Sequence, residues 1–217
     1  MEFIENVFGV MPSLIRAVPV VAQLAVGAMV IALTLGLLLA LARLSRSRIV
    51  RGIAITYVEI FRGTPLLVQL VYVYFVLPVV GIQLEPVSAG ILALGLNYAA
   101  YLSEVYRTSI LAIDSGQTEA ALSLGYTPAK ALWLVVIPQS FKVALGPIGN
   151  YFIAMVKDTA LTSVIAVSEI LKTANTLNSQ TFQTVEIYTA AALLYLALSL
   201  PLSRLVIVLE RKVRARA

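Results

Sequence analysis

Long stretches without charge divide this sequence, and they limit the folds open to it more than any other feature. Of its 217 residues, 60% are hydrophobic and only 12% are charged, whereas a soluble domain has about 25% charged residues. A helix needs about 20 apolar residues to cross a bilayer. Five stretches approach that length: 17–42, 63–84, 86–103, 131–156 with Lys142 as its only charge, and 187–203. We therefore expect an all-α integral membrane protein with five transmembrane helices.

A sixth apolar stretch, residues 159–168, is too short to cross the membrane. We expect it to form a re-entrant segment after the fourth span, packed against other helices because lipid cannot satisfy broken backbone. The spans leave no room for a separate soluble module. Residues 1–217 are therefore expected to form a single transmembrane domain.

The basic residues predict the orientation of the chain. They follow the first span, bracket the link between the third and fourth spans, and end the sequence, while the link between the second and third spans has none. Basic loops remain in the cytoplasm, so the N-terminus is expected outside and the C-terminus inside. The C-terminal group is Arg204, Arg211, Lys212, Arg214 and Arg216. This tail is expected to meet membrane lipid and no nucleic acid.

Several functions are disfavoured by what the sequence lacks. It has no Cys and no His, which removes thiol nucleophiles, imidazole bases and Cys/His metal sites. It also has no phosphate-binding loop of the G-x-x-x-x-G-K-[ST] type. We expect no enzyme, no bound metal and no cofactor in this chain, and any ATP must be hydrolysed by another polypeptide.

The cytoplasmic loop at about 114–138 carries the most information. Asp114 followed by Gln117 is a variant of the capping box, so a helix should begin near Ser115. Gly125 suits the left-handed position that ends a helix, and Thr127 then offers a second N-cap. The pattern predicts two short helices joined by a turn. An ordinary amphipathic loop resting at the lipid headgroups is the alternative.

This loop resembles a known family. The sequence Glu119-Ala120-Ala121, then three residues, Gly125, nine residues and VVIP resembles the EAA loop of binding-protein-dependent ABC importer permeases, with conservative changes in the last four residues. Three further stretches resemble the polar amino acid subgroup, in matching order. They are FRGTPL at 61–66, NYAAYLSEVYR at 97–107 and KDTAL at 157–161.

The resemblance implies a transmembrane subunit of an amino acid importer in a prokaryotic inner membrane, working by alternating access. The 114–138 loop would couple it to a separate ATPase that binds ATP and Mg, through Glu119, Ala120, Ala121 and Gly125. It further implies a second permease subunit, identical or different, and an extracytoplasmic substrate-binding protein.

Polar residues inside the third span are the first candidates for a substrate pathway. Asn97, Tyr101 and Glu104 are spaced four and three residues apart, so they share one helical face. Such a stripe in a membrane helix faces the bundle interior or a wet cavity. Two structural alternatives remain open: an ion pair between Glu104 and Arg107, and hydrogen bonding between helices.

A break is expected within the second span. Thr64 followed by Pro65 is an N-cap signal inside an apolar run, so an amphipathic stretch should end near Arg62. Glu59 and Arg62 are one turn apart and could pair. Gln69, one turn into the new helix, either faces the pathway or supplies packing polarity.

Lys157, Asp158 and Thr159 follow the fourth span. Asp158 is expected to cap a short helix from Thr159, which would place the trio at the mouth of the re-entrant segment, where broken helices bind charged groups. Asp158 or Glu104 could then receive a substrate ammonium, and Lys157 or the backbone amides after Asp158 could receive a carboxylate. A purely structural cluster is the alternative. A secondary transporter driven by ions through Glu104 and Asp158, and a scaffold that moves nothing, remain as rival functions.

Overall fold

The structure is a computed structural model that describes residues 2–214, and within that range it is helical with no β-strand. The predicted all-α fold is therefore confirmed. Arg216, part of the predicted basic tail, lies outside the described residues. The helices are α1 (Glu2–Ile15), α2 (Val18–Arg43), α3 (Arg48–Gly63), α4 (Leu66–Val71), α5 (Pro86–Leu111), α6 (Ser115–Ser123), α7 (Pro128–Ala131), α8 (Ile137–Asp158), α9 (Ile170–Thr181) and α10 (Thr184–Arg214).

Helix α5 lies at the centre of the bundle and packs along α2. Small residues permit this contact, as is usual between membrane helices. A Cβ on Gly95 would lie 2.7 Å from the Cβ of Ile31, and one on Gly36 would lie 3.0 Å from the Cβ of Leu102. The two backbones therefore approach as closely as glycine allows.

A second apolar cluster joins α1, α9 and α10. Val7 and Leu14 of α1 are buried with Ala174 of α9 and with Ile187 and Leu194 of α10. Neither α1 nor α9 was predicted from the sequence, because the criterion for a span was about 20 apolar residues. At 14 and 12 residues, both helices are too short for that criterion.

Three helical stretches are long and apolar enough to cross a membrane: Val18–Arg43, Pro128–Ile165 and Thr184–Val213. A fourth arises if Arg48–Gly63 and Leu66–Val80, which meet at 104°, form one broken span. Helix α5 contains the predicted third span, 86–103, but its polar residues exclude it from this set. The count of five spans stays a prediction.

The break predicted near residue 64 is present, with a different local role for its residues. Thr64 is the C-cap of α3, and Pro65 precedes α4 without a side-chain cap. Thr64 was therefore wrongly predicted as an N-cap. Its hydroxyl donates to the carbonyl of Ile60 at 2.8 Å. The helical path that follows ends at Val80, where Gly81 turns left-handed at φ +86°, so the uncharged stretch 63–84 is not one helix.

Residues Thr159–Ile165 form a 3-10 helix, followed by Ala166 at φ +63°. This segment contacts α2, α4, α5, α8 and α9. Thr159, Thr162 and Ile165 are fully buried. The segment is short, irregular and covered by helices, which agrees with the expectation for 159–168, while its depth in the membrane stays a prediction.

The second short helix of the 114–138 loop is not separate. Helix α7 continues through a π-helical turn, Leu132–Val136, into α8. Only α6 is an independent short helix, because Gly125 at φ +84° ends it. The prediction of two short helices is corrected to one helix followed by the first turns of a long one.

Candidate functional site

Two carboxamides secure the bend between α3 and α4. Gln69 Nε2 donates to the carbonyl of Phe61 at 2.9 Å and to the Thr64 hydroxyl at 2.7 Å. From α5, Asn97 Nδ2 donates to the same Phe61 carbonyl at 3.1 Å and to Gln69 Oε1 at 3.0 Å. Two of these bonds reach the Phe61 carbonyl, a backbone acceptor that the end of α3 leaves free. Both carboxamides therefore form hydrogen bonds between elements, while Asn97 also lines the cavity described next, so its role in a pathway stays a prediction.

A cavity of about 430 Å³ adjoins this bend. We call it the Asp158 cavity. Asp158 Oδ2 accepts a hydrogen bond from the hydroxyl of Tyr98 at 2.7 Å, across 60 residues of sequence. Asp158 does not cap the 3-10 helix that follows it, so the predicted capping role is wrong. Its carboxylate is held by a phenol on another helix instead.

The other two members of the predicted trio do not line this cavity. Lys157 is exposed on another side of α8. Thr159 is fully buried, and its hydroxyl donates to the carbonyl of Val156 at 2.7 Å. The successive positions of a helix point about 100° apart, so three adjacent residues could not share one face.

A second cavity of about 250 Å³, the Glu104 cavity, lies farther along α5. Glu104 pairs with Arg107, as predicted. It also pairs with Arg43 at the end of α2, with 2.6 Å between Nη1 and Oε2. The Arg43 contact was not predicted from the sequence, because Arg43 and Glu104 are 61 positions apart. One carboxylate therefore compensates two cations at the same end of the bundle.

Arg62 was also missed as a cavity residue. It lines both cavities and forms no ion pair with Glu59 or with any other residue between 2 and 214, so the predicted Glu59–Arg62 pair is wrong. Its guanidinium carbon lies 5.3 Å from the centroid of the Tyr101 ring, which is within the range of a cation–π contact.

Glu169 is a fully buried carboxylate that the sequence analysis did not single out. It caps α9 by accepting from the backbone amides of Leu171 at 2.8 Å and Lys172 at 2.6 Å, and it accepts from the Tyr195 hydroxyl at 2.6 Å. Burial raises the pKa of this carboxyl above its usual value, and these hydrogen bonds oppose the rise. Its position before a helix was a signal for a cap, but Tyr195 could not be foreseen.

In the 114–138 loop, Asp114 is the N-cap of α6 as predicted, but the Gln117 side chain accepts from Gln139 Nε2 at 3.2 Å instead of completing a capping box. Asp114 Oδ1 accepts from the amide of Gly116 at 2.8 Å, at the start of α6. At the other end, Gly125 N donates to Leu122 O at 2.9 Å and Tyr126 N donates to Ala121 O at 3.1 Å. This pair of bonds is a Schellman motif, so a fixed turn terminates α6.

The surface of this loop is mostly exposed. Glu119, Ala120 and Gly125 face outward, and Leu124 is 80% exposed. Ala121 is only 4% exposed, and α6 packs on the π-helical turn after α7. The small side chain of Ala121 therefore seats α6 on its own chain, while its neighbours form the accessible face.

Between residues 2 and 214, no group of three or more His, Cys, Asp or Glu side chains could hold a metal ion. The two cavities are lined instead by tyrosines, single carboxylates and one arginine. These side chains offer charge and hydrogen-bonding groups to a small polar molecule.

Curated relatives share most of the chain. The L-cystine transport system permease protein TcyB of Bacillus subtilis is 40% identical over 82% of this chain and 76% of its own length. The arginine transport system permease protein ArtQ of the same species is 36% identical over 94% of both chains. The glutamine transport system permease protein GlnP of Escherichia coli is 34% identical over 84% of both.

Solved structures agree with this fold. One described as an amino acid ABC transporter with histidines superposes with a TM-score of 0.86, at 38% identity over 93% of this chain and 94% of that one. The MetNI methionine ABC transporter in an inward-facing conformation gives a TM-score of 0.77 at 21% identity, over 94% and 98% of the two chains. The second likeness supports the fold alone.

The sequence profile of one family covers most of the chain, from residue 32 to residue 215. With the relatives above, it agrees with the resemblance carried by Glu119, Ala120, Ala121 and Gly125. The chain therefore belongs to the family of binding-protein-dependent transport system inner membrane components.

Proposed function

We propose that this chain is the transmembrane subunit of an ATP-driven amino acid importer. The observation that carries the proposal is α6, a short helix with a fixed end and an exposed face formed by Glu119 and Ala120. A rigid, accessible helix can transmit a push from a separate ATPase into α8, because the turn after Gly125 leads directly into that helix. The names of the relatives specify L-cystine, arginine and glutamine transport, which supports an amino acid substrate.

The cycle we propose is alternating access. ATP binding closes two ATPase subunits, which move the 114–138 loops and open the bundle outward. Hydrolysis returns the bundle to an inward-facing state. Substrate affinity must differ between the two states, because otherwise the cycle would move nothing. Glu119, Ala120 and Gly125 are proposed to contact the ATPase, with Ala121 seating the helix from behind.

The pathway is proposed to follow the two cavities. Asp158 can receive a substrate ammonium, and Tyr101 and Asn97 line the same cavity. Glu104 lines the next cavity but already compensates Arg43 and Arg107. Gln69 acts through the bend that it holds. Lys157 and Thr159, outside both cavities, are not retained as substrate contacts.

The partners follow from the family. We propose that two permease subunits, identical or different, lie side by side in a prokaryotic inner membrane above two ATP-binding subunits that hold ATP and Mg. An extracytoplasmic binding protein delivers the substrate. The N-terminus would lie outside, where α1 and α9 cover one end of the bundle, and the 114–138 loop would lie in the cytoplasm.

Reconstitution tests this proposal. The chain is co-purified from mild detergent with its bound partners, which are identified by mass, and is placed in vesicles with the recovered binding protein. Uptake of labelled L-arginine, L-glutamine and L-cystine should require ATP and persist when ion gradients are collapsed. Uptake that disappears with the gradients while ATP is present would instead support ion-driven transport through Glu104 and Asp158.

A further inference from the structure

The two cavities share three residues. Arg62, Tyr101 and Tyr151 line both the Asp158 cavity and the Glu104 cavity. Their order along the helices shows how the cavities are arranged. On α5, Asn97 and Tyr98 line only the first cavity, Tyr101 lines both, and Glu104 and Thr108 line only the second.

Along α8 the residues that line the two cavities follow the same order, but in the reverse chain direction. Pro147 lines only the Glu104 cavity, Tyr151 lines both, and Ala154 and Asp158 line only the Asp158 cavity. The cavities are therefore stacked along the bundle axis. From Asn97 to Thr108, α5 rises about 16 Å. The three shared residues lie between the cavity at the Asn97 end of this stretch and the cavity at its Thr108 end.

The separating group is held together by its rings. The Tyr101 and Tyr151 ring centroids lie 5.6 Å apart, and the Arg62 guanidinium carbon lies 5.3 Å from the Tyr101 centroid. Neither tyrosine hydroxyl has a hydrogen-bond partner between residues 2 and 214, and over the same range Arg62 has no ion pair. A cation–π contact at an exposed site is weak, so this group can separate at little cost.

Residues on either side of the group are fixed more firmly. Asp158 is bound by the Tyr98 hydroxyl, Asn97 is bound to the bend, and Glu104 is bound by two arginines. Hydrogen bonds to the charged groups Asp158 and Glu104 are stronger than a ring contact at an exposed site. The weakest contacts along this path are therefore those between the cavities.

We propose that Arg62, Tyr101 and Tyr151 form a movable gate between the two cavities. This inference rests on the proposed function, because a gate has a purpose only if a substrate passes from one cavity to the other. When the rings meet, the cavities are separate. When Arg62 leaves the face of Tyr101, the ring loses its restraint and the two spaces can join.

Cysteine labelling tests the gate without measuring transport. The chain has no native Cys, so one introduced thiol reports one position. Ala154→Cys reports the Asp158 cavity and Thr108→Cys the Glu104 cavity. The full complex is kept in inside-out vesicles and treated with the membrane-impermeant anionic reagent sulfonatoethyl methanethiosulfonate, and labelling of this chain is followed by mass.

We expect Thr108→Cys to react quickly and Ala154→Cys to react slowly while the gate is shut. Adding Tyr101→Ala should speed the reaction of Ala154→Cys at least about tenfold, because the large ring is removed. Arg62→Gln should speed it about threefold, since a contact of about 0.5–1 kcal/mol is lost. The matched variant Tyr101→Phe keeps the ring and should leave the rate unchanged.

Three results would overturn the gate: rapid labelling of Ala154→Cys without a gate substitution, no acceleration by Tyr101→Ala, or failure of Thr108→Cys to react from this side. If Tyr101→Ala prevents assembly, Tyr151→Ala and Arg62→Gln provide the same comparison. The importer itself is tested by ATP-driven uptake. If uptake is absent but Ala154→Cys still reacts slowly and is accelerated by removal of the ring, the importer proposal is refuted. The barrier between the cavities would then remain supported.

Discussion

Polar groups in the helical bundle and in the 114–138 loop are held in different ways. In the bundle, hydrogen bonds join residues that are distant in sequence: Arg43 with Glu104, Tyr98 with Asp158, and Tyr195 with Glu169. In the loop, Asp114 binds an amide two residues away and Thr127 binds one three residues away. These bundle bonds connect helices, whereas these two loop bonds each shape the start of one helix; a single longer bond, from Gln139 Nε2 to Gln117 Oε1 at 3.2 Å, joins α6 to α8.

This difference has an energetic consequence. Removing one partner of a buried hydrogen bond leaves the other partner unsatisfied, because water cannot reach it, and this costs about 1–3 kcal/mol. Removing a group from an exposed loop leaves its partner to water, so the cost stays local. We therefore expect substitutions in the bundle to lower the stability of the whole protein, and substitutions in the loop to act on partner binding.

Glu169→Ala should have the largest effect on stability. It removes the cap of α9, worth about 1 kcal/mol, and leaves the Tyr195 hydroxyl without its acceptor at a further cost of about 1–3 kcal/mol. We expect the free energy of unfolding to fall by about 3 kcal/mol, measured by thermal unfolding in detergent. Glu169→Gln retains an acceptor oxygen and should lose much less. Equal loss in both variants would contradict the role of these bonds.

The same residue predicts a pH dependence. Because burial raises the pKa of Glu169 in the folded protein, the folded state holds its proton to higher pH than the unfolded state. The stabilisation that this group contributes is therefore fully present below its pKa in the unfolded state, near 4.5. It is lost as the pH rises through its pKa in the folded state. Glu169→Gln has no such proton, so the stability of wild type relative to this variant should fall as pH rises. A constant difference would contradict the raised pKa.

Glu104→Ala should have a smaller effect on stability than Glu169→Ala. The Glu104 side chain is 29% exposed, so water can partly replace it around Arg43 and Arg107. We expect a loss of about 1 kcal/mol, toward the range of exposed pairs, measured by unfolding of the assembled complex. A double-mutant cycle with Arg43→Ala isolates the pair. Transport that falls while assembly is retained would indicate a pathway role, and poor assembly would indicate a structural one.

The contrast also explains what could be predicted from sequence. The start of α6 at Ser115, the left-handed Gly125 that follows its end and the cap at Thr127 depend on neighbouring residues, and all three were predicted correctly. Glu104 and Arg107 lie one helical turn apart, so their ion pair was predicted for the same reason. Arg43 and Tyr195 come from other helices, and only the folded bundle brings them to their carboxylates. Asp158 was predicted as a local cap, but the Tyr98 hydroxyl on α5 binds it instead.

Gly125→Val should reduce partner binding more than stability. A β-branched residue at φ +84° is strained, at a cost of about 1–2 kcal/mol, and it would disrupt the turn between α6 and α7. We expect recovery of the ATPase by pull-down to fall severalfold while membrane insertion stays normal. Gly125→Asn tolerates the left-handed region better and should retain most binding. Normal ATPase recovery with Gly125→Val would count against the coupling role of this loop.

Asp114→Ala should produce the smallest change, confined to α6. The lost cap is worth about 1 kcal/mol, and its partner, the exposed amide of Gly116, can bind water instead. Hydrogen exchange of the first amides of α6 should therefore speed about fivefold, with no change in the thermal unfolding of the bundle. Asp114→Asn keeps an acceptor and should exchange at nearly the original rate. A lower unfolding temperature with Asp114→Ala would mean that α6 supports the bundle, and the distinction between the two regions would then fail.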